Sequence, residues 1–324
     1  MTNIWEDLTK NNSYISILAP MEDVTDTVFR QVVSRCYKPD LMFTEFTNCE
    51  GICSKGRENV IQRLRYTKVE QPMIAQIWGI NPDNYFTTAK LCLELGFAGV
   101  DINMGCPERN VTKIGACSAL IKNHDQAQKV IEAVVRGVSG KIPVSIKTRI
   151  GYSQIVTEEW ISFLLTQNIQ VITVHARTVK EQSLVPNHFE EIAIACKLRD
   201  KINPKIKIIA NGDITDAKYG EEKCKELGCD GYMIGRGIFH NPWCFDKNLN
   251  IKNIKVQERL ELLLYHIDLW SITWGNTKHY PKLKKYFKIY CQGFDNSTEL
   301  RSKLMDTKTF EEVVPIIKEF LVNY

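Results

Sequence analysis

The chain has 324 residues, 44% hydrophobic and 25% charged, with a formal net charge of +4. No apolar run approaches the ~20 residues of a bilayer-spanning helix, and Met1 to Asp7 lacks the basic start and apolar stretch of a secretory signal, so a cytoplasmic protein is expected. The eleven cysteines have no close-spaced framework and exclude a disulfide scaffold; the charge is too mild to argue for nucleic acid by itself. Cys49/Cys53 and Cys224/Cys229 could be ligand pairs, but free cysteines are more often buried. No metal is expected.

Short apolar, β-branched runs recur with longer amphipathic stretches between them. They lie near Tyr14 to Ala19, Leu41 to Thr44, Pro72 to Trp78, Phe97 to Asn103, Ile142 to Thr148, Ile169 to His175, Lys205 to Asn211 and Cys229 to Gly235. This is the alternation of a parallel sheet covered by helices, and eight repeats is the barrel number. An open doubly wound sheet would alternate in the same way, but the first loop has no glycine-rich dinucleotide fingerprint. Helix starts are marked by Thr25-Asp26, Asn81-Pro82-Asp83, Asn123-His124-Asp125 and Thr215-Asp216. Gly96 and Gly228 sit where a left-handed C-terminal cap is wanted. After about Asn241-Pro242 the strand pattern stops, and Gln257 to Trp274 and Thr309 to Tyr324 read as helices. The expected class is α/β: a (β/α)8 TIM barrel over residues 1–245, then a small all-helical domain over residues 246–324.

A barrel of this kind carries its active site where the strands end. The runs end or carry, in order, Ala19-Pro20-Met21, Gln76, Asp101-Ile102-Asn103-Met104-Gly105-Cys106-Pro107, Lys147-Thr148-Arg149, His175-Ala176-Arg177-Thr178, Asn211-Gly212-Asp213 and Gly235-Arg236-Gly237. The last two tails fit a cofactor phosphate: Gly212, Gly235 and Gly237 permit close backbone approach and Arg236 can pair with phosphate, although such glycines can also serve only tight turns. Lys147 lies in an apolar strand and needs an anionic partner, either a reduced flavin or a carboxylate such as Asp101 or Glu45. Gln76 has a donor and an acceptor for the edge of a flavin ring. Cys106, between Gly105 and Pro107, is presented at the rim, where a thiol of ordinary pKa near ~8.5 can act as acid as well as nucleophile. His175 could be a general acid, a ligand or a donor to a ring, and no second His or carboxylate at ligand spacing supports a metal.

At these residues the chain resembles the tRNA-dihydrouridine synthases from about Ile17 to Phe320. The motifs are Ala19-Pro20-Met21-Glu22-Asp23-Val24-Thr25-Asp26 with Phe29-Arg30, the Asp101 to Pro107 tail, Lys147-Thr148-Arg149-Ile150-Gly151, His175-Ala176-Arg177-Thr178, Asn211-Gly212-Asp213-Ile214 and Ile234-Gly235-Arg236-Gly237. Gly293-Phe294, Glu299-Leu300-Arg301 and Leu304-Met305 look like that family's helical tRNA-binding domain. The resemblance implies FMN held by Pro20, Met21, Gln76, Lys147, His175, Asn211, Gly212, Asp213, Gly235 and Arg236, with Asn103 and Arg177 contacting the target uracil. It implies a cycle in which NADPH (or NADH) reduces the flavin, hydride passes to uracil C6, and Cys106 gives a proton to C5. Ala176 stands where the family often has glycine, Cys117 lies in a Gly115 to Ala119 loop that is usually richer in glycine, and Gln182 to His188 is unlike familiar members.

The helical segment interleaves Lys278, Lys282, Lys284, Lys285 and Lys288 with Tyr280, Tyr286, Phe287 and Tyr290, and Arg301 follows. Such a mixture suits tRNA phosphates with aromatic packing nearby, or equally a solvated helix face. The expected partner is tRNA, with no membrane; a monomer is expected. An FMN barrel acting on a small pyrimidine or enone would share the cofactor residues without needing the basic tail. A tRNA-binding protein without catalysis would not need Cys106, Lys147 and His175 together.

Overall fold

The computed structural model describes residues 3–275 and 277–324. The eight apolar runs become strands β1 (Ile15–Leu18), β2 (Leu41–Phe43), β3 (Met73–Trp78), β4 (Gly99–Met104), β5 (Val144–Arg149), β6 (Val171–His175), β7 (Lys207–Asn211) and β8 (Gly231–Ile234). Each pairs in parallel with its neighbours, and β8 pairs with β1 through Ile15↔Gly231 to Leu18↔Ile234, so the sheet closes into a barrel. Beyond β2, the two residues Thr47–Asn48 resume pairing along β3.

Side chains alternate along each strand, so every second residue points into the barrel. The inward positions of the lower part are apolar: Ile15, Ile17, Leu41, Phe43, Ile74, Val171, Ile209 and Met233 form one buried cluster. Trp5, from the helix Ile4–Asn11, joins it and lies 6.5 Å from Phe43. A second, larger core lies between the strands and the surrounding helices and runs without interruption into the C-terminal helices.

The expected caps are present. Asp26 accepts from Phe29 N at 3.0 Å, Asn81 from Asp83 N at 2.9 Å, Asn123 from Gln126 N at 3.1 Å and Asp216 from Tyr219 N at 2.9 Å. Gly96 and Gly228 take φ of +81° and +75° at the ends of their helices.

Among the described residues no strand follows Ile234, and the C-terminal part is built on Val256–Trp274, Ser297–Asp306 and Phe310–Asn323 with short turns between. It grips the loop after β1. Asp26 uses its second oxygen to accept from Trp274 Nε1 at 2.9 Å and Lys278 Nζ at 2.8 Å, while Tyr286 OH donates to Val24 O at 2.7 Å. Phe29 packs 4.9 Å from the Tyr286 ring. The Lys282–Asp23 pair at 3.1 Å is about half exposed on both sides; such pairs contribute about 0–1 kcal/mol, so the buried aromatic contacts and Asp26 hold this junction.

Arg30 and Glu70 are both fully buried and 2.7 Å apart. Arg30 also donates to Thr25 O and Arg65 O, and Glu70 accepts from Thr27 and Thr67, so no lone pair or N–H of consequence is stranded. Removing one partner of such a pair leaves a buried charge and costs roughly 3–5 kcal/mol. Glu70→Ala is therefore expected to lower the urea midpoint strongly at an unchanged m-value, whereas Lys282→Ala should move it little; equal small shifts would show that the Arg30 network does not anchor the loop.

Candidate active site

Strand register sets the site. Gln76 faces Asp101, which faces Ser145; one inward position higher, Asn103 faces Lys147; higher again, Arg149 faces His175, which faces Asn211. The polar half of the barrel interior is thus a stack of rows that climbs from mid-barrel to the C-terminal rim.

A cavity of about 540 Å³ opens beside these rows, lined by Pro20, Met21, Lys147, His175, Asn211, Gly212, Asp213, Gly235 and Arg236 among others. Half-buried Lys147 donates from Nζ to Asn211 Oδ1 at 2.9 Å, and neither Asp101 nor Glu45 pairs with it. Asp101 is engaged by Gln76 and Ser145, and Glu45 accepts from Asp23 N at 2.8 Å. Burial, then the Arg149 charge, pulls Lys147 down to about 8. Burial also holds His175 well below the usual histidine range, helped by Arg149 and Lys147, so its ring is neutral at pH 7. Asp213 is held below the carboxylate range by its hydrogen bond from Arg177, with a second from Arg236 at 2.6 Å.

The chemistry of this wall fits a phosphate-bearing flavin. His175, which lines the cavity, has its Nε2 buried without a hydrogen-bond partner, and so are Arg177 Nη1 next to Asp213 and Asn187 Oδ1 next to Gly212, an arrangement that costs free energy unless a ligand supplies one. Gly212 holds φ of +122°, and a Cβ there would stand 2.3 Å from Asn187 Oδ1. The Arg236–Asp213 pair sits on the open rim, where an exposed ion pair is weak enough to yield to a phosphate.

Cys106 lies on a second cavity of about 430 Å³ with Glu22, Phe46, Asn48, Arg63, Trp78 and Cys117. Met21 and Glu22 are consecutive, so the two cavities adjoin. The turn carrying Cys106 is tied on every side. Asn103 Oδ1 accepts from the N–H groups of Gly105 and Cys106, each at 3.0 Å; Arg149 Nε donates to Gly105 O at 2.8 Å; Ser118 Oγ donates to Cys106 O at 2.7 Å. Behind Asn103 runs a buried relay: Asn103 Nδ2 donates to Gln76 Oε1 at 3.0 Å, Gln76 Nε2 to Asp101 Oδ2 at 2.7 Å, and Ser145 Oγ to Asp101 Oδ1 at 2.6 Å. Burial pushes Asp101 up to about 6 against these bonds.

The relay changes the placement of some expected site residues. Gln76 has no exposed surface and both ends of its amide are in use, so it stands one side chain behind the cavity wall. Asn103 is 3% exposed and Arg177 2%. Arg177 donates from Nε to Val185 O at 2.7 Å and to Asp213. The wall residues Phe46, Asn48, Arg63 and Trp78 were not expected: they come from three stretches of chain, the segment after β2, the turn Gln62–Leu64 and the end of β3, and share no motif. The basic helical residues are also partly committed, Lys278 to Asp26, Lys282 and Lys285 to Asp23, Lys284 to Met305 O at 2.7 Å and Arg301 to Cys291 O at 3.4 Å. Lys288 is exposed.

Hydrogen bonding from the Cys117 thiol, outweighing burial and joined by the Glu108 N–H, draws Cys106 down to about 7. A thiol in this range is divided evenly between acid and thiolate at neutral pH, better matched to proton transfer than an unperturbed one. Its thiolate grows as pH rises, so alkylation of Cys106 by iodoacetamide should accelerate through a midpoint near 7; a midpoint near that of a free thiol would remove the Cys117 effect. Gly212→Ala should give folded protein that retains little flavin, read by visible absorbance after gel filtration, and full retention would show that the backbone there is not approached.

Comparison with known proteins agrees with this geometry. The profile of the dihydrouridine synthase (Dus) family matches residues 17–323. A probable tRNA-dihydrouridine synthase of Staphylococcus aureus (strain MRSA252) is 42% identical over 321 residues, 98% of this chain and 95% of that protein. A probable tRNA-dihydrouridine synthase 2 of Bacillus subtilis (strain 168) is 42% identical over 99% of this chain and 98% of its own. Among solved structures, histamine dehydrogenase from Rhizobium sp. 4-9 matches 82% of this chain with TM-score 0.53 and 10% identity. A 2-naphthoyl-CoA reductase matches 74% with the same score. This chain spans 51% of each, and the likeness is one of fold. With a family profile over nearly its whole length and relatives matched end to end, the chain belongs to the dihydrouridine synthase family.

Proposed function

We propose that the chain is a tRNA-dihydrouridine synthase that reduces the C5–C6 double bond of uridines in tRNA, with FMN as cofactor, NADPH (or NADH) as reductant and Cys106 as proton donor. Membership of the family makes it a flavin-dependent oxidoreductase. The observation that carries the fuller reading is the adjacency of a glycine- and arginine-lined cavity to a second one holding a tethered thiol. When bound, the cofactor supplies hydride to uracil C6.

Within that reading, Gly212, Gly235 and Arg236 hold the phosphate. Lys147, His175 and Asn211 meet the ring, and Pro20, Met21 and Asp213 complete the wall. Gln76 acts through Asn103. The ties from Asn103, Arg149 and Ser118 fix the Cys106 turn so that its Sγ delivers a proton to C5 from a constant direction. Neutral His175 can donate a hydrogen bond without adding charge. Phe46, Trp78, Val60 and Val111 give the second cavity an apolar lining that receives a base taken out of its stack and excludes water. Residues 1–245 then serve as the catalytic unit and residues 246–324 as the tRNA-binding unit, with Lys288 free for phosphate and the other lysines shared with the barrel loop. Arg177 and Asn103, expected to contact the uracil, are buried, and within this reading they would act from behind the cavity surface. A small pyrimidine or enone substrate would leave the C-terminal helices only their support of the loop after β1, and the relatives named for tRNA match through them.

Cys106→Ala should keep bound flavin and NADPH oxidation while dihydrouridine in tRNA falls by at least about two orders of magnitude, the usual worth of a general acid. Mass-spectrometric nucleoside analysis of tRNA from cells lacking the protein, complemented by wild type or by Cys106→Ala, reads this directly; equal dihydrouridine in both would refute the acid assignment.

A further inference from the structure

We propose that Cys106 and Cys117 form a reversible disulfide when the protein meets a hydroperoxide, making the wall of the second cavity a thiol modification site. Both cysteines line that cavity, and Ser118, the residue after Cys117, donates from Oγ to Cys106 O at 2.7 Å, so the two loops meet at the cysteines. Both are free thiols, Cys106 half-buried and Cys117 buried behind it. The backbone is arranged for this proximity. Cys117 has φ of +50°, a left-handed conformation that a non-glycine residue adopts only when its surroundings impose it. Those surroundings are the Ala116 N–H donating to Val111 O at 3.2 Å, which closes the turn before Cys117, and Ser118 Oγ reaching Cys106 O at 2.7 Å, which lashes one loop to the other. Cys224 and Cys229 are also close in sequence, but both are buried and neither lines a described cavity, so they lack access.

The chemistry balances. The Cys106 thiolate attacks one peroxide oxygen; an S–O bond forms, the O–O bond breaks, the sulfur is oxidised to sulfenic acid and hydroxide (or alkoxide) leaves. The Cys117 sulfur then attacks the sulfenic sulfur, an S–S bond forms, and the hydroxyl departs with the Cys117 proton as water. A dithiol returns both electrons and both protons. The two thiols differ in the sense required: Cys106 is drawn down to about 7 and supplies the nucleophile, while burial holds Cys117 well above the usual range until it is called on.

The link itself does not depend on the role of Cys106 in turnover; the accompanying loss of activity rests on that reading. The test treats flavin-loaded enzyme with hydrogen peroxide, digests it without reduction and maps peptides while assaying dihydrouridine formation before and after dithiothreitol. Expected are a linked Cys106–Cys117 peptide, at least tenfold loss of activity and its recovery on reduction. Cys117→Ser should yield Cys106 sulfinic acid instead, with no recovery relative to its own untreated activity. Wild-type Cys106 oxidised to sulfinic acid with no linked peptide would overturn the proposal, as would equal recovery in the variant. If Cys117→Ser does not fold, phenylarsine oxide on the native protein decides: one arsenic bridging both peptides supports the pair, and arsenic found elsewhere or not at all overturns it. A linked peptide with undiminished activity would keep the disulfide and refute the acid assignment.

Discussion

The pairing of β8 with β1 closes the sheet, and nearly every property of the site follows from that closure. A closed parallel barrel has no edge and one C-terminal rim, so residues far apart in sequence must meet there. Alternation then decides which of them face inward. The lower inward positions are filled with Ile, Leu, Phe and Met, which seal the barrel, and the upper ones carry Gln76, Asp101, Asn103, Ser145, Lys147, Arg149, His175 and Asn211. Burying so many polar groups is tolerable because most bond one another across neighbouring strands. Among the exceptions is His175 Nε2, which lines the larger cavity.

Asp101 is the deepest member of the relay behind the Cys106 turn, and its influence travels by hydrogen bonds alone. Gln76 can satisfy Asp101 with its amide N–H only if its carbonyl oxygen faces Asn103, which in turn leaves the Asn103 oxygen for the two N–H groups of the turn. The amide orientations are therefore coupled in series. A thiol on a loop thereby acquires the positional constancy of a strand residue.

Much of this was legible in the sequence because it is local. Asp26, Asn81, Asn123 and Asp216 act as caps through bonds within three residues, and strand ends announce themselves where an apolar run stops. What was not legible depends on partners supplied by topology. Gln76 has the chemistry for a flavin edge, but whether its amide is free depends on Asp101 and Asn103. The lysines after Trp274 read as a basic stripe, yet Lys278, Lys282 and Lys285 meet carboxylate or carbonyl groups about 250 residues earlier in the chain, near Asp23 and Asp26. The wall formed by Phe46, Arg63 and Trp78 has no motif because its members come from separate stretches of the chain, Trp78 from the end of β3. Cys117 did leave a trace, as a cysteine in a loop expected to be rich in glycine, although its nearness to Cys106 needed the fold.

The loop from Ala19 to Asp26 belongs to two structures at once. Pro20 and Met21 line the larger cavity, Glu22 the smaller, and Asp23, Val24 and Asp26 receive the side chains of the C-terminal helices. Those helices are consequently not a portable module. A relative's helices grafted onto this barrel would have to present a tryptophan, a lysine and a tyrosine to the same three residues, or the loop would lose its outer support and the shape of both cavities with it. Substitution on those helices is thereby freer on the face turned away from the barrel, while the contact face is tied to a single short stretch of the first loop.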